Sequence, residues 1–212
     1  NYYTRLHEKH GVRIHTKTRV IGFEGKSAVE RVICESDVFD ADLVIVGIGI
    51  IPNSELAEKA GIACENGITV DERCQTSMPR IYAAGDCTNH PNPLLNRRLR
   101  LESVPNAMEQ ARVCAANMVG KDKIYSSIPW FWSDQYELKL QMVGFSSDGD
   151  SEIIRGDMDA NQFSVFHVKE NKVMAADSVN SPKDFMICKQ LIGKEVDLDQ
   201  LLDESVELKS ML

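Results

Sequence analysis

The pattern of apolar and polar positions divides the chain into three stretches. Tyr2 to His10 reads as the end of a helix, stopped by Gly11 in the left-handed cap position. VRIHTKTRVIGFEG (12–25) is rich in Val, Ile and Thr and reads as strand, and AVERVICES (28–36) follows it. After a turn at Ser36–Asp37, VFDADLVIVGIGIIPN completes an antiparallel meander. Its last part, Leu43 to Val46, has no polar alternation, the signature of a strand buried on both faces. Ser54 opens a short helix that ends at Gly61.

In the second stretch, ITVDERCQTSMPRIYAAGDC (68–87) predicts a short strand, a turn at Met78–Pro79 and a second buried strand, Ile81 to Ala84. TNHPNPLLNRRLR (88–100) reads as a polar loop. ESVPNAMEQARVCAANMVG (102–120) then places Val104, Ala107, Met108, Ala111, Ala115 and Met118 at helical spacing. Pro105 is tolerated in the first turn, and Gly120 closes the helix. KDKIYSSIP (121–129) is a polar linker.

The third stretch opens on PWFWSDQYELKLQMVGF (129–145), which holds both tryptophans of the chain. EIIRG, QFSVFHV and KVMAADSV alternate over short runs between turn residues and predict a small antiparallel sheet. Pro182 opens the helix KDFMICKQLIG, and LDQLLDESVELKSML is an acidic amphipathic tail.

Composition narrows the possible functions. The net charge of −8 over 212 residues argues against non-specific binding to nucleic acid or anionic lipid. No apolar run approaches the length of a bilayer span, and NYYTRLHEKHG has no secretory apolar core. Cys34, Cys64, Cys74, Cys87, Cys114 and Cys188 form no CxxC pair and have no histidine at ligand spacing. They read as reduced, mostly buried thiols of a cytoplasmic protein.

Three motifs carry candidate chemistry. In GIGIIPN (47–53), Gly47 and Gly49 follow a buried strand, where backbone can approach a flat or phosphorylated group; a tight turn with no ligand fits equally. In IYAAGDC (81–87), small residues and Gly85 clear room before Asp86, whose carboxylate can accept from the hydroxyls of a polyol or cap a turn. In ESVPNAMEQAR (102–112), a helix start at Ser103 and Val104 offers N–H groups and a dipole to negative charge. The alternative is an ordinary helix with Glu102 in its first turn.

The order VGIGIIPN, TSMPRIYAAGDC, RLESVPNAMEQAR, PWFWSDQY resembles the second half of a ferredoxin reductase of the two-dinucleotide-domain, pyridine nucleotide-disulfide oxidoreductase-like flavoprotein family. IYAAGD is shared widely across that superfamily, whereas PWFWSDQY is narrower. The resemblance implies an α/β plus α+β fold. Residues 1–71 would be the C-terminal part of an NAD(P)H-binding domain, 72–123 the return segment of an FAD-binding domain, and 124–212 a C-terminal interface domain. It implies FAD and NAD(P)H as cofactors of the intact parent and a ferredoxin or rubredoxin serving an oxygenase or P450 as electron acceptor. Asp86, after Gly85, would bind the flavin ribityl chain. Ser103 and Val104 would lie against the flavin pyrimidine edge, Trp132 close to the isoalloxazine, and Gly47 and Gly49 along the nicotinamide path. Glu102 would contact the nicotinamide side.

No GxGxxG fingerprint occurs in these residues, and the family has two. The chain is therefore expected to be a C-terminal piece, to be inactive alone, to hold no FAD, and, because its buried-type strands would expose unpaired edges and apolar faces, to self-associate, swap elements or have its missing half present elsewhere. Arg97, Arg98 and Arg100 help steer an acidic acceptor, stand on a solvated loop, or pair internally with nearby Glu102. Other members of the superfamily, an NADH oxidase or peroxidase or a nitrite reductase flavin subunit, are alternative enzymes. A redox-sensing scaffold resembling apoptosis-inducing factor is the non-catalytic alternative.

Overall fold

A computed structural model describes residues 2–212. The chain forms two compact units, 1–50 and 51–212. In the first, helix α1 (Tyr2–Lys9) ends where Gly11 takes φ +81°, and Val12 N returns to His7 O at 3.0 Å. This closes the helix as its sequence predicts. The meander follows: β1 (Val20–Glu24), β2 (Arg31–Cys34) and β3 (Val38–Asp40), in the order β1-β2-β3.

The apolar run after β3 departs from expectation. Residues 43–46 make no strand, and Leu43, Ile45 and Val46 are exposed by 77%, 87% and 60%. A strand suited to burial on both faces has no neighbouring strand here to pair with.

The second unit begins with helix α2 (Glu55–Lys59), followed by β4 (Ile68–Thr69), β5 (Thr88–Asn92) and β6 (Arg97–Leu99). β4 pairs parallel to β5, and β5 pairs antiparallel to β6. The segment expected to be a polar loop is thus a hairpin, and its Thr88, Asn89, His90 and Asn92 are buried. The expected strand Ile81–Ala84 makes only an isolated bridge, Gln75 to Tyr82, and Ile81 is exposed.

Helix α3 (Val104–Met118) lies within the predicted bounds but is rotated from the expected face. Its buried residues are Pro105, Asn106, Gln110, Val113 and Cys114, while Val104, Met108 and Met118 are exposed.

Beyond the linker, β7 (Trp130–Gln135), β8 (Leu138–Gly144), β9 (Ser151–Asp157), β10 (Gln162–Lys169) and β11 (Lys172–Val179) form one antiparallel sheet in the order β7-β8-β11-β10-β9. The alternation in EIIRG, QFSVFHV and KVMAADSV predicts β9, β10 and β11, and the aromatic segment adds β7 and β8 to their sheet. Helix α4 (Pro182–Leu191) and the short α5 (Leu198–Leu202) complete the core with the sheet through Val143, Phe166, Val173, Phe185, Leu191 and Leu201. Arg155 on β9 is 9% exposed, and its guanidinium donates to Leu201 O, Asp203 O, Glu204 O and Val206 O, fastening the acidic tail.

All six cysteines are free, and four of them are buried. Among the described residues no helix is long and apolar enough to cross a membrane, and no side-chain cluster is suited to a metal ion.

Candidate functional site

The start of α3 is built from below. Ser103 is the N-cap in extended conformation, and its hydroxyl accepts from Asn106 N at 3.4 Å. Asn106 is 3% exposed; its amide donates to Leu101 O at 3.0 Å, and its Oδ1 accepts from Tyr125 Oη at 2.9 Å. Burial, with the nearby Glu109 charge, raises the Tyr125 phenol, so that group stays a donor. Glu102 precedes the cap rather than sitting in the first turn, and that turn holds no acidic residue. Nothing in the helix itself therefore offsets the positive end of its dipole.

One turn further on, fully buried Gln110 fixes the IYAAGD corner. Its Oε1 accepts from Gly85 N at 2.7 Å and lies 2.8 Å from Thr88 Oγ, while its Nε2 has no partner. Gly85 takes φ +90°, a conformation that costs a side-chain residue steric strain, and leaves the Asp86 side chain exposed. Arg100 bridges this corner to the helix entry: its Nη1 donates to Asp86 O at 3.3 Å and pairs with Glu102 Oε1 at 2.8 Å. Internal pairing with Glu102, one of the readings of the arginines, thus accounts for Arg100. Arg97 pairs with Asp148, and Arg98 donates to Val70 O and to Asn89.

The aromatic strand meets the helix entry across a cavity of about 160 Å³ lined by Arg100, Leu101, Glu102, Ser103, Pro129, Trp130, Phe131, Gly144 and Phe145. Trp130 packs against Phe185 at 5.6 Å and Trp132 at 5.8 Å, with Lys189 Nζ 4.4 Å from its ring centre. Its indole nitrogen is buried without a partner. Gly144 turns the chain out of β8 at φ +74°; a Cβ there would lie 2.3 Å from Met174 O, so only glycine delivers Phe145 to this wall.

Glu102 and Ser103 therefore share a cavity with the aromatic strand, and Gly85 and Asp86 are tied to the same helix. Val104 and Trp132 lie outside the cavity lining, exposed by 56% and 40%. Gly47 and Gly49 belong to the first unit, where nothing approaches within 4 Å of a Cβ built on either, and Gly49 takes φ +98°. Sequence reasoning passed over Asn106 and Gln110, although two amides four residues apart in a helix mark one face. It also passed over Trp130 in favour of Trp132.

The exposed Phe131 on the cavity wall, a helix start with no acidic residue in its first turn and the exposed Asp86 carboxylate are chemically suited to a flat, partly anionic ring bearing a polyol.

Residues 1–111 match the pyridine nucleotide-disulphide oxidoreductase family, and residues 130–212 match the reductase C-terminal family. The chain is 46% identical over its full length to putidaredoxin reductase CamA of Pseudomonas putida, covering 51% of that protein. It is 40% identical over 98% of its length to rhodocoxin reductase of Rhodococcus erythropolis, covering 50%. The covalent putidaredoxin reductase–putidaredoxin complex superposes with a TM-score of 0.92 at 47% identity, over 99% of this chain and 52% of that one. The chain thus spans about half the length of the curated relatives it matches.

Proposed function

The chain belongs to the pyridine nucleotide-disulphide oxidoreductase family, and on that premise we propose that it is part of an FAD-dependent reductase that carries electrons from NAD(P)H to a ferredoxin- or rubredoxin-type acceptor serving an oxygenase or P450. One observation carries this reading: the entry of α3 and the aromatic strand line the same cavity, and the IYAAGD corner is tied to that helix by Gln110 and Arg100.

FAD, when bound, supplies two-electron uptake from a nicotinamide and one-electron release to an iron centre. The residues of this chain hold and shape that chemistry. Asp86 accepts hydrogen bonds from ribityl hydroxyls. Backbone N–H groups at Ser103 and Val104 offer positive charge to the pyrimidine edge, strengthened by the absence of an acidic first turn. Trp132, exposed on the aromatic strand, would lie close to the ring. Glu102, held by Arg100, faces the nicotinamide side. Gly47 and Gly49 leave open backbone for the nicotinamide nucleotide in the first unit. The domain division 1–71, 72–123 and 124–212 belongs to this reading. So does a cytoplasmic location, supported by six free thiols.

The test uses the whole protein. It is expected to purify with one flavin, to reduce a ferredoxin at the expense of NAD(P)H, and to lose flavin affinity on Asp86→Ala. A whole protein without a flavin absorbance band overturns the proposal. NADH consumption that needs only oxygen or peroxide points instead to the oxidase or peroxidase reading. Flavin binding without turnover of any acceptor points to the scaffold.

A further inference from the structure

We propose that Arg97 is a positioning residue that clasps the aromatic strand against the entry of α3. Its guanidinium grips Asp148 at two points, Nη1 to Oδ1 at 3.0 Å and Nη2 to Oδ2 at 2.9 Å. The same planar group lies 4.9 Å from the ring centre of Phe145, a cavity wall residue. Three residues on, Arg100 holds Glu102, another residue of that cavity's lining. The short segment 97–100 thus fastens both the helix entry and the sheet corner that bound one space.

The far end of the clasp is firmly seated. Asp148 sits in a 3₁₀ turn, residues 146–148, directly after the Gly144–Phe145 corner. Behind it, a Cβ on Gly149 would lie 2.9 Å from His167 Cβ, and Asp150 N donates to Val168 O at 3.0 Å, so the turn rests on β10. From the corner, Gly144 N donates to Pro129 O at 2.9 Å, and Trp130 pairs with Val143. A displacement of Phe145 is therefore passed directly to the first residues of β7.

The pair is partly exposed, with side-chain accessibilities of 42% for Arg97 and 17% for Asp148. Such a pair adds little to global stability, whereas a two-point planar grip with a stacked ring specifies orientation. With its charge spent on Asp148, Arg97 is poorly suited to act as a free cation for an acceptor.

The test has two arms, and only the second rests on the proposed function. In the chain itself, both tryptophans lie on β7, so emission and acrylamide quenching report on that strand. Arg97→Ala and Asp148→Asn are expected to raise quenching while leaving the urea midpoint nearly unchanged. Arg97→Lys keeps the charge but not the planar grip and is expected to quench like Arg97→Ala. Wild-type quenching in Arg97→Ala, or full rescue by Arg97→Lys, overturns the clasp. In the whole protein, kcat for an iron–sulfur acceptor is expected to fall about tenfold on Arg97→Ala at unchanged KM, with ferricyanide reduction preserved. A rise in KM alone makes Arg97 a docking residue and overturns the proposal. A whole protein with no reductase activity defeats the functional reading instead, and the quenching arm still decides the clasp.

Discussion

His90 makes the stability of the second unit sensitive to acid. It lies on β5 with 1% of its surface exposed, edge-on to Tyr125 with centroids 5.1 Å apart and planes at 79°. Neither ring nitrogen has a hydrogen-bond partner. Burial first, and the Arg98 charge second, lower its pKa from 6.5 to about 4. The sign follows from that direction. Below its ordinary value the unfolded chain takes up a proton that the folded state resists, so stability falls as pH drops from 6.5 and levels off near 4. The full span corresponds to about 3 kcal/mol, of which about 2 kcal/mol separates pH 7 from pH 5. His90→Phe keeps an aromatic ring against Tyr125 and removes both the titration and the unpaired nitrogens. At pH 7 the variant is expected to match or exceed the wild type. At about pH 5 its advantage, read from urea unfolding, is expected to grow by about 2 kcal/mol. Comparing the two proteins at both pH values cancels the other titrations. Among them is His167, whose pKa is raised first by its 2.9 Å bond to Asp177 and acts in the opposite direction, its stabilisation being present below 6.5 and lost as pH rises through the folded value. An advantage of the same size at both pH values would refute the reasoning.

Three further outcomes can be measured on the same chain. Gln110→Leu leaves Gly85 N without its acceptor and is expected to cost about 1–3 kcal/mol in urea unfolding, together with faster amide exchange at residues 85–88. Arg155→Met strips the donor shared by four carbonyls of residues 201–206; a loss of about 3 kcal/mol and early proteolytic cleavage within 198–212 are expected. The exposed Val104, Met108 and Met118 of α3 and Ile45, Ile48 and Ile51 of the apolar run are each worth about 1.5–3 kcal/mol when fully buried. Sedimentation of the chain is therefore expected to show concentration-dependent association, reduced by Met108→Glu with Met118→Glu.

What the sequence made legible, and what it did not, divides along the reach of the signals. Gly11 as a helix stop, Ser103 with Pro105 as a helix start, and the alternation of 151–179 are local, and each element formed where its pattern placed it. The hairpin 88–99 was missed because Thr88, Asn89, His90 and Asn92 give no apolar alternation; their burial rests on partners far along the chain, such as Gln110 for Thr88 and Ser127 for Asn92. The face of α3 was assigned from its small and apolar residues, yet Asn106 and Gln110 are the ones turned inward, because their amides satisfy Tyr125, Leu101 and Gly85. Leu43–Val46 and Ile81–Ala84 failed for a related reason. An apolar period states which surface a segment is able to bury, and the burial itself needs a second surface that no local pattern carries. The same limit applied at the candidate site. Asp86 and Ser103 could be named from their motifs, whereas Arg97, Arg100 and Gln110, which set where those motifs stand relative to one another, became visible only through their contacts with residues 14 to 51 positions away or with a neighbouring turn.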